Sequence, residues 1–78
     1  MFEMRPTPEV VQIVRAGGGL EMRAAMKTTA DLIQIAAAAK ASGTTVWFRD
    51  LHMRPTAEIV QIAMAGGGRV VFADKAPG

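Results

Sequence analysis

One phrase is written three times in this chain, and a repeat of that kind narrows the available folds more than any other feature. Met4-Arg5-Pro6-Thr7-Pro8-Glu9-Val10-Val11-Gln12-Ile13-Val14 returns as Met53-Arg54-Pro55-Thr56-Ala57-Glu58-Ile59-Val60-Gln61-Ile62-Ala63. A looser copy lies between them, Met26-Lys27-Thr28-Thr29-Ala30-Asp31-Leu32-Ile33-Gln34-Ile35-Ala36. Each copy runs into small residues, at Gly17-Gly18-Gly19, Ser42-Gly43 and Gly66-Gly67-Gly68, and then into a short apolar run. A unit this small cannot bury its apolar face alone, so neighbouring copies must stack on one another.

Every copy opens with a helix start signal. The aligned Thr7, Thr29 and Thr56 are expected at the N-cap, where a hydroxyl accepts from an unpaired backbone N–H. Pro8 then suits the first helical position, and Glu9, Asp31 and Glu58 put negative charge at the positive end of the helix dipole. Pro6 and Pro55 keep the chain extended up to the cap. The pattern predicts helices over 7–16, 29–41 and 56–65, stopped by the glycines. Val10, Ile13 and Val14 share a face of the first, with Val11 beside it. Leu32, Ile35, Ala36 and Ala39 repeat that face in the second helix, and Ile59, Ile62 and Ala63 in the third.

A strand candidate follows each helix: Leu20-Glu21-Met22-Arg23, Val46-Trp47-Phe48-Arg49 and Val70-Val71-Phe72-Ala73. The last two carry the β-branched and aromatic residues that favour strands, and the first rests on its alignment with them. Strands alternating with helices at about 25-residue spacing indicate βα units and a parallel sheet. Right-handed crossovers put all three helices on one side of it. Matching the strands turns Leu20, Val46, Val70, Met22, Phe48 and Phe72 towards the helices. Glu21, Trp47, Val71, Arg23, Arg49 and Ala73 then line the uncovered face.

The expected fold is therefore a small α/β domain in the order α-β-α-β-α-β, with a three-stranded parallel sheet and helices on one face. Residues 1–78 form one domain, with repeat units near 1–19, 20–43 and 44–68 and a C-terminal strand at 69–75. The layout resembles a miniature β/α solenoid of the leucine-rich-repeat kind. That family's leucine and asparagine consensus is absent, so the resemblance carries over no functional residue.

Composition limits the function classes. A chain of 78 residues holds a single core and buries only about 60–65% of its unfolded surface, so its stability is expected to be marginal. It has no cysteine, which removes disulfides and thiolate metal sites and leaves oligomerisation as the expected reinforcement. No apolar stretch approaches the roughly 20 residues that span a bilayer. Met1-Phe2-Glu3-Met4-Arg5 has no basic segment followed by an apolar one, so no secretory signal is expected and a cytoplasmic location follows. Nine basic residues against seven acidic ones give a net charge of +2, too small an excess to indicate nucleic acid.

Several residues invite a chemical reading. The glycine triplets are not a phosphate cradle, because they follow helices, whereas a cradle needs glycines before a helix N-terminus. His52, the only histidine, lies just after a strand, and Asp50 and Asp74 hold equivalent places after two adjacent strands. The carboxyl ends of parallel strands are where open α/β sheets keep their sites, so an Asp50/His52/Asp74 cluster would bind a metal or act as a general base. No cysteine, tyrosine or second histidine supports it, and loop residues capping backbone is the preferred reading. Gln12, Gln34 and Gln61 are expected at solvent, opposite each apolar face. The six methionines are expected as core fillers rather than a metal set.

The uncovered sheet face is the least bland feature. Trp47 and Val71 lie there between Arg23 and Arg49, with Glu21 alongside, and Trp and Arg are favoured contact residues in protein interfaces. The expectation is a non-enzymatic interaction or assembly module that self-associates, a two-fold dimer ranking ahead of a ring, with an unidentified protein as a further partner. No cofactor, metal or membrane partner is implied. A small enzyme or metal-binding protein using Asp50, His52 and Asp74 is the alternative. A weak nucleic-acid binder ranks third, because these few basic residues make no phosphate track.

Overall fold

The computed structural model describes residues 5–25, 27–51 and 54–73. Its elements run α1 (Thr7–Arg15), β1 (Leu20–Arg23), α2 (Thr29–Ser42), β2 (Val46–Arg49), α3 (Thr56–Gly66) and β3 (Val70–Ala73). The three strands form one parallel sheet in the order β1-β2-β3. In space α2 packs between α1 and α3. Helices and strands therefore succeed each other in chain order, as stacked repeats require.

The register is the one that the repeat dictates. Leu20, Val46 and Val70 stand side by side, as do Met22, Phe48 and Phe72. Both rows face the helices, and Leu20, Met22, Val46 and Phe48 are buried. They meet Val10, Val14, Leu32, Ile35, Ala36, Ala39 and Ile62 in one core. Alanine at positions 36, 38 and 39 lets α2 sit close to its neighbours, and all three alanines are buried. β3 departs from the pattern. Phe72 is 37% exposed while its counterpart Phe48 is 0%, because α1 precedes β1 and no helix follows β3 among the described residues.

The helix starts differ from the sequence reading. Thr7, Thr29 and Thr56 are the first residues of their helices, not the caps. The caps are Pro6, Thr28 and Pro55. Pro6 and Pro55 sit at φ −57° and −59° with ψ 144°, so each carbonyl is already aimed along the helix while the ring blocks any further turn upstream. The Pro6 carbonyl accepts from the Glu9 and Val10 N–H groups, and that of Pro55 from Glu58 and Ile59. Only Thr28, which stands where the other copies have proline, caps with its side chain, accepting from the Asp31 N–H at 3.1 Å. Pro8 is accordingly the second helical residue. Two helix ends need left-handed backbone: Gly43 (φ 75°) and Gly67 (φ 53°) return their N–H groups to the last turns of α2 and α3.

Candidate interaction face

On the far side of the sheet lie two rows of side chains: Glu21, Trp47 and Val71, then Arg23, Arg49 and Ala73. Strand alternation sends them there, since their neighbours are committed to the core. Among the described residues no helix covers this face, and Trp47, in the middle strand, is 45% exposed. Val71 beside it is half-buried. The face is apolar at its centre and charged along one margin.

Those charges are paired. The Arg49 guanidinium meets the Glu21 carboxylate of the neighbouring strand. Arg23 Nε donates to Asp50 Oδ2 at 3.0 Å. Asp50 reaches Arg23 because its backbone turns sharply after β2, at φ 63°, a conformation that aspartate tolerates better than most residues. Each arginine thus already has a carboxylate, which lowers the net positive field that a phosphate chain would meet.

Asp50 is the one described member of the Asp50/His52/Asp74 group, and its carboxylate is engaged by Arg23. His52 and Asp74 lie outside the described residues, as do Met1, Met4, Met26 and Met53. Among the described residues no group of three His, Cys, Asp or Glu side chains could hold a metal ion. Of the two described methionines, Met22 fills the core, whereas Met64 is 73% exposed and fills nothing. Gln12, Gln34 and Gln61 are all exposed, as expected. Among the described residues no helix is long and apolar enough to cross a membrane.

A polar cluster that the sequence reading missed joins the repeats at their helix starts. Arg54 lies along the start of α2 with its side chain only 16% exposed. Its Nη1 donates to Thr29 Oγ1 at 2.7 Å, and its Nη2 to the carbonyls of Ala24, at 2.9 Å, and of Lys27. The Thr29 hydroxyl donates in turn to Glu58 Oε1 at 2.6 Å, and Glu58 lies 3.9 Å from Arg54. Lys27, the counterpart of Arg54 one copy earlier, donates from Nζ to the Arg5 carbonyl at 2.6 Å. The basic residue before α2 and that before α3 therefore each reach the carbonyl of the counterpart in the preceding unit. The signal was the shared Arg5, Lys27 and Arg54 of the repeat, which a reading centred on apolar spacing passed over.

No protein-family model matches the chain, and neither a curated protein nor a solved structure does.

Proposed function

We propose that this chain is a non-enzymatic assembly module that associates with copies of itself and presents the open sheet face as a contact surface. A cytoplasmic setting belongs to the same reading. The observation that carries it is Trp47, an aromatic side chain held 45% exposed at the centre of a face that no element among the described residues covers. Trp and Arg concentrate binding energy at interfaces, and the paired arginines beside Trp47 form a polar margin of the sort found around buried interface centres. Engagement of Asp50 by Arg23 leaves the enzymatic alternative without a free carboxylate at that strand end.

Trp47 is the only tryptophan, so its fluorescence reports on this face alone. The emission maximum should move to longer wavelength on dilution from micromolar to nanomolar concentration, while the far-UV circular dichroism stays constant. Trp47→Ser should shift association to higher concentration without unfolding the chain. An emission maximum independent of concentration, together with unaltered association of the serine variant, would remove Trp47 from the contact.

A further inference from the structure

A stack of repeats has two unlike ends, and here each end lacks what the other offers. At the α3/β3 end, Ile59 and Ala63 are half-buried where Leu32 and Ala36, one unit earlier, are fully buried. Val60 and Met64 on the same helix are exposed, as is Phe72 on the strand below. At the α1/β1 end the shortfall falls on another position: Ile13 is half-buried, whereas its counterparts Ile35 and Ile62 are 0% exposed. Ile35 and Ile62 each have a preceding helix to pack on, and α1 has none among the described residues.

The polar groups at the two ends match in the same way. Inside the chain, Thr29 at the start of α2 receives Arg54 and donates to Glu58, both from the next unit. Thr56 is the counterpart of Thr29 and is exposed at the start of α3. Arg5 and Glu9 are the counterparts of Arg54 and Glu58. They already stand as an i,i+4 pair, 3.4 Å apart, on the outside of the first repeat. The turns that carry these groups are alike: the Lys27 N–H returns to the Ala24 carbonyl at 3.1 Å, and the Arg54 N–H to the Leu51 carbonyl at 3.0 Å.

We propose that a second copy of this chain docks head to tail, its α1 and β1 continuing the stack beyond α3 and β3 of the first. Arg5 of the incoming copy takes the place that Arg54 holds inside the chain, reaching the Thr56 hydroxyl and the Leu51 and Arg54 carbonyls. Thr56 donates to the incoming Glu9. The incoming β1 pairs in parallel with β3, Leu20 beside Val70 and Met22 beside Phe72, and its helix covers Phe72 and Val60. The contact joins unlike surfaces, so it closes into a ring or extends, and it cannot end as a two-fold dimer. It shares with the reading above the premise that copies associate, but it uses a different surface.

The absence of cysteine allows a direct test. A Glu9→Cys chain and a Thr56→Cys chain are mixed at micromolar concentration and treated with a short bis-maleimide linker. The Thr29→Cys/Glu58→Cys chain, whose replaced side chains touch within one molecule, sets the yield of a correctly seated pair. The mixed product should approach that yield and exceed both like-with-like products. Val60→Asp in the Thr56→Cys chain should abolish it, and Trp47→Ser should leave it unchanged. Like-with-like products at equal or higher yield, or no mixed product, overturn the head-to-tail contact. If the native chain still sediments above monomer mass in that case, self-association survives and only this contact fails; if it sediments as a monomer, both fail.

Discussion

Arg54→Met removes the guanidinium that ties the start of α3 to the start of α2 while keeping a similar apolar stem. Three hydrogen bonds disappear: one to the Thr29 hydroxyl and two to the Ala24 and Lys27 carbonyls. Hydrogen bonds to a charged group contribute about 1.5–3 kcal/mol each, but losses within one cluster do not add. The weaker ion pair with the half-exposed Glu58, at 3.9 Å, adds at most about 1 kcal/mol. Against these stands relief: among the described residues Arg54 Nε is buried without a hydrogen-bond partner, a burden of about 1–3 kcal/mol that methionine does not carry. The net loss is about 2–4 kcal/mol, out of a total that for a chain of this size is about 4–12 kcal/mol. At about 4–8 °C per kcal/mol the melting temperature should fall by roughly 8–32 °C. Thermal and urea melts followed by circular dichroism measure this, at one protein concentration because association raises apparent stability. Arg54→Lys should recover part of the loss, since Lys27 already makes a single carbonyl bond of this kind one repeat earlier, but an ammonium cannot serve three acceptors in fixed planar geometry. A loss below about 0.5 kcal/mol for Arg54→Met, the range of an ordinary surface change, would refute the clamp.

The cap assignments separate two threonines that look alike in sequence. Thr28→Ala should cost about 1 kcal/mol by removing the acceptor of the Asp31 N–H. Thr56→Ala, at an exposed first helical residue whose proline carbonyl serves as the cap, should change the stability of the dissociated chain by less than about 0.5 kcal/mol; equal losses in urea titrations would return the cap to Thr56. Gly66→Ala opposes two effects. Alanine favours a helix by about 0.5–1 kcal/mol, yet its Cβ would overlap Val70 Cγ2 and sit 3.6 Å from Ala36 Cβ. Overpacking costs about 1–3 kcal/mol, so the variant should melt lower than the parent, and a rise in melting temperature would contradict the close seating of α3 on β3.

The element order and the strand register were legible because they follow from the repeat: once Val46 and Phe48 face the core, Trp47 must face away. Helix boundaries were legible to within a residue or two. Helix starts were misread because threonine serves equally at the cap and at the first helical position, and the prolines before Thr7 and Thr56 hid a cap made by a carbonyl. Phe72 was placed on the correct side of the sheet but not recognised as exposed, since alternation gives the direction of a side chain and not whether anything lies over it. Composition alone points Met64 to the core, whereas it is exposed, as are its counterparts Arg15 and Ala37. Arg54 escaped notice because its partners are mostly backbone carbonyls, which carry no mark in a sequence.

If copies of this chain complete each other, sedimentation equilibrium of the native protein over nanomolar to micromolar concentration will register it. The mass should exceed the 8.3 kDa of one chain at micromolar concentration and fall towards it on dilution, with Val60→Asp and Arg5→Glu each lowering the mass at a given concentration. A folded particle of one chain mass across the whole range would contradict it.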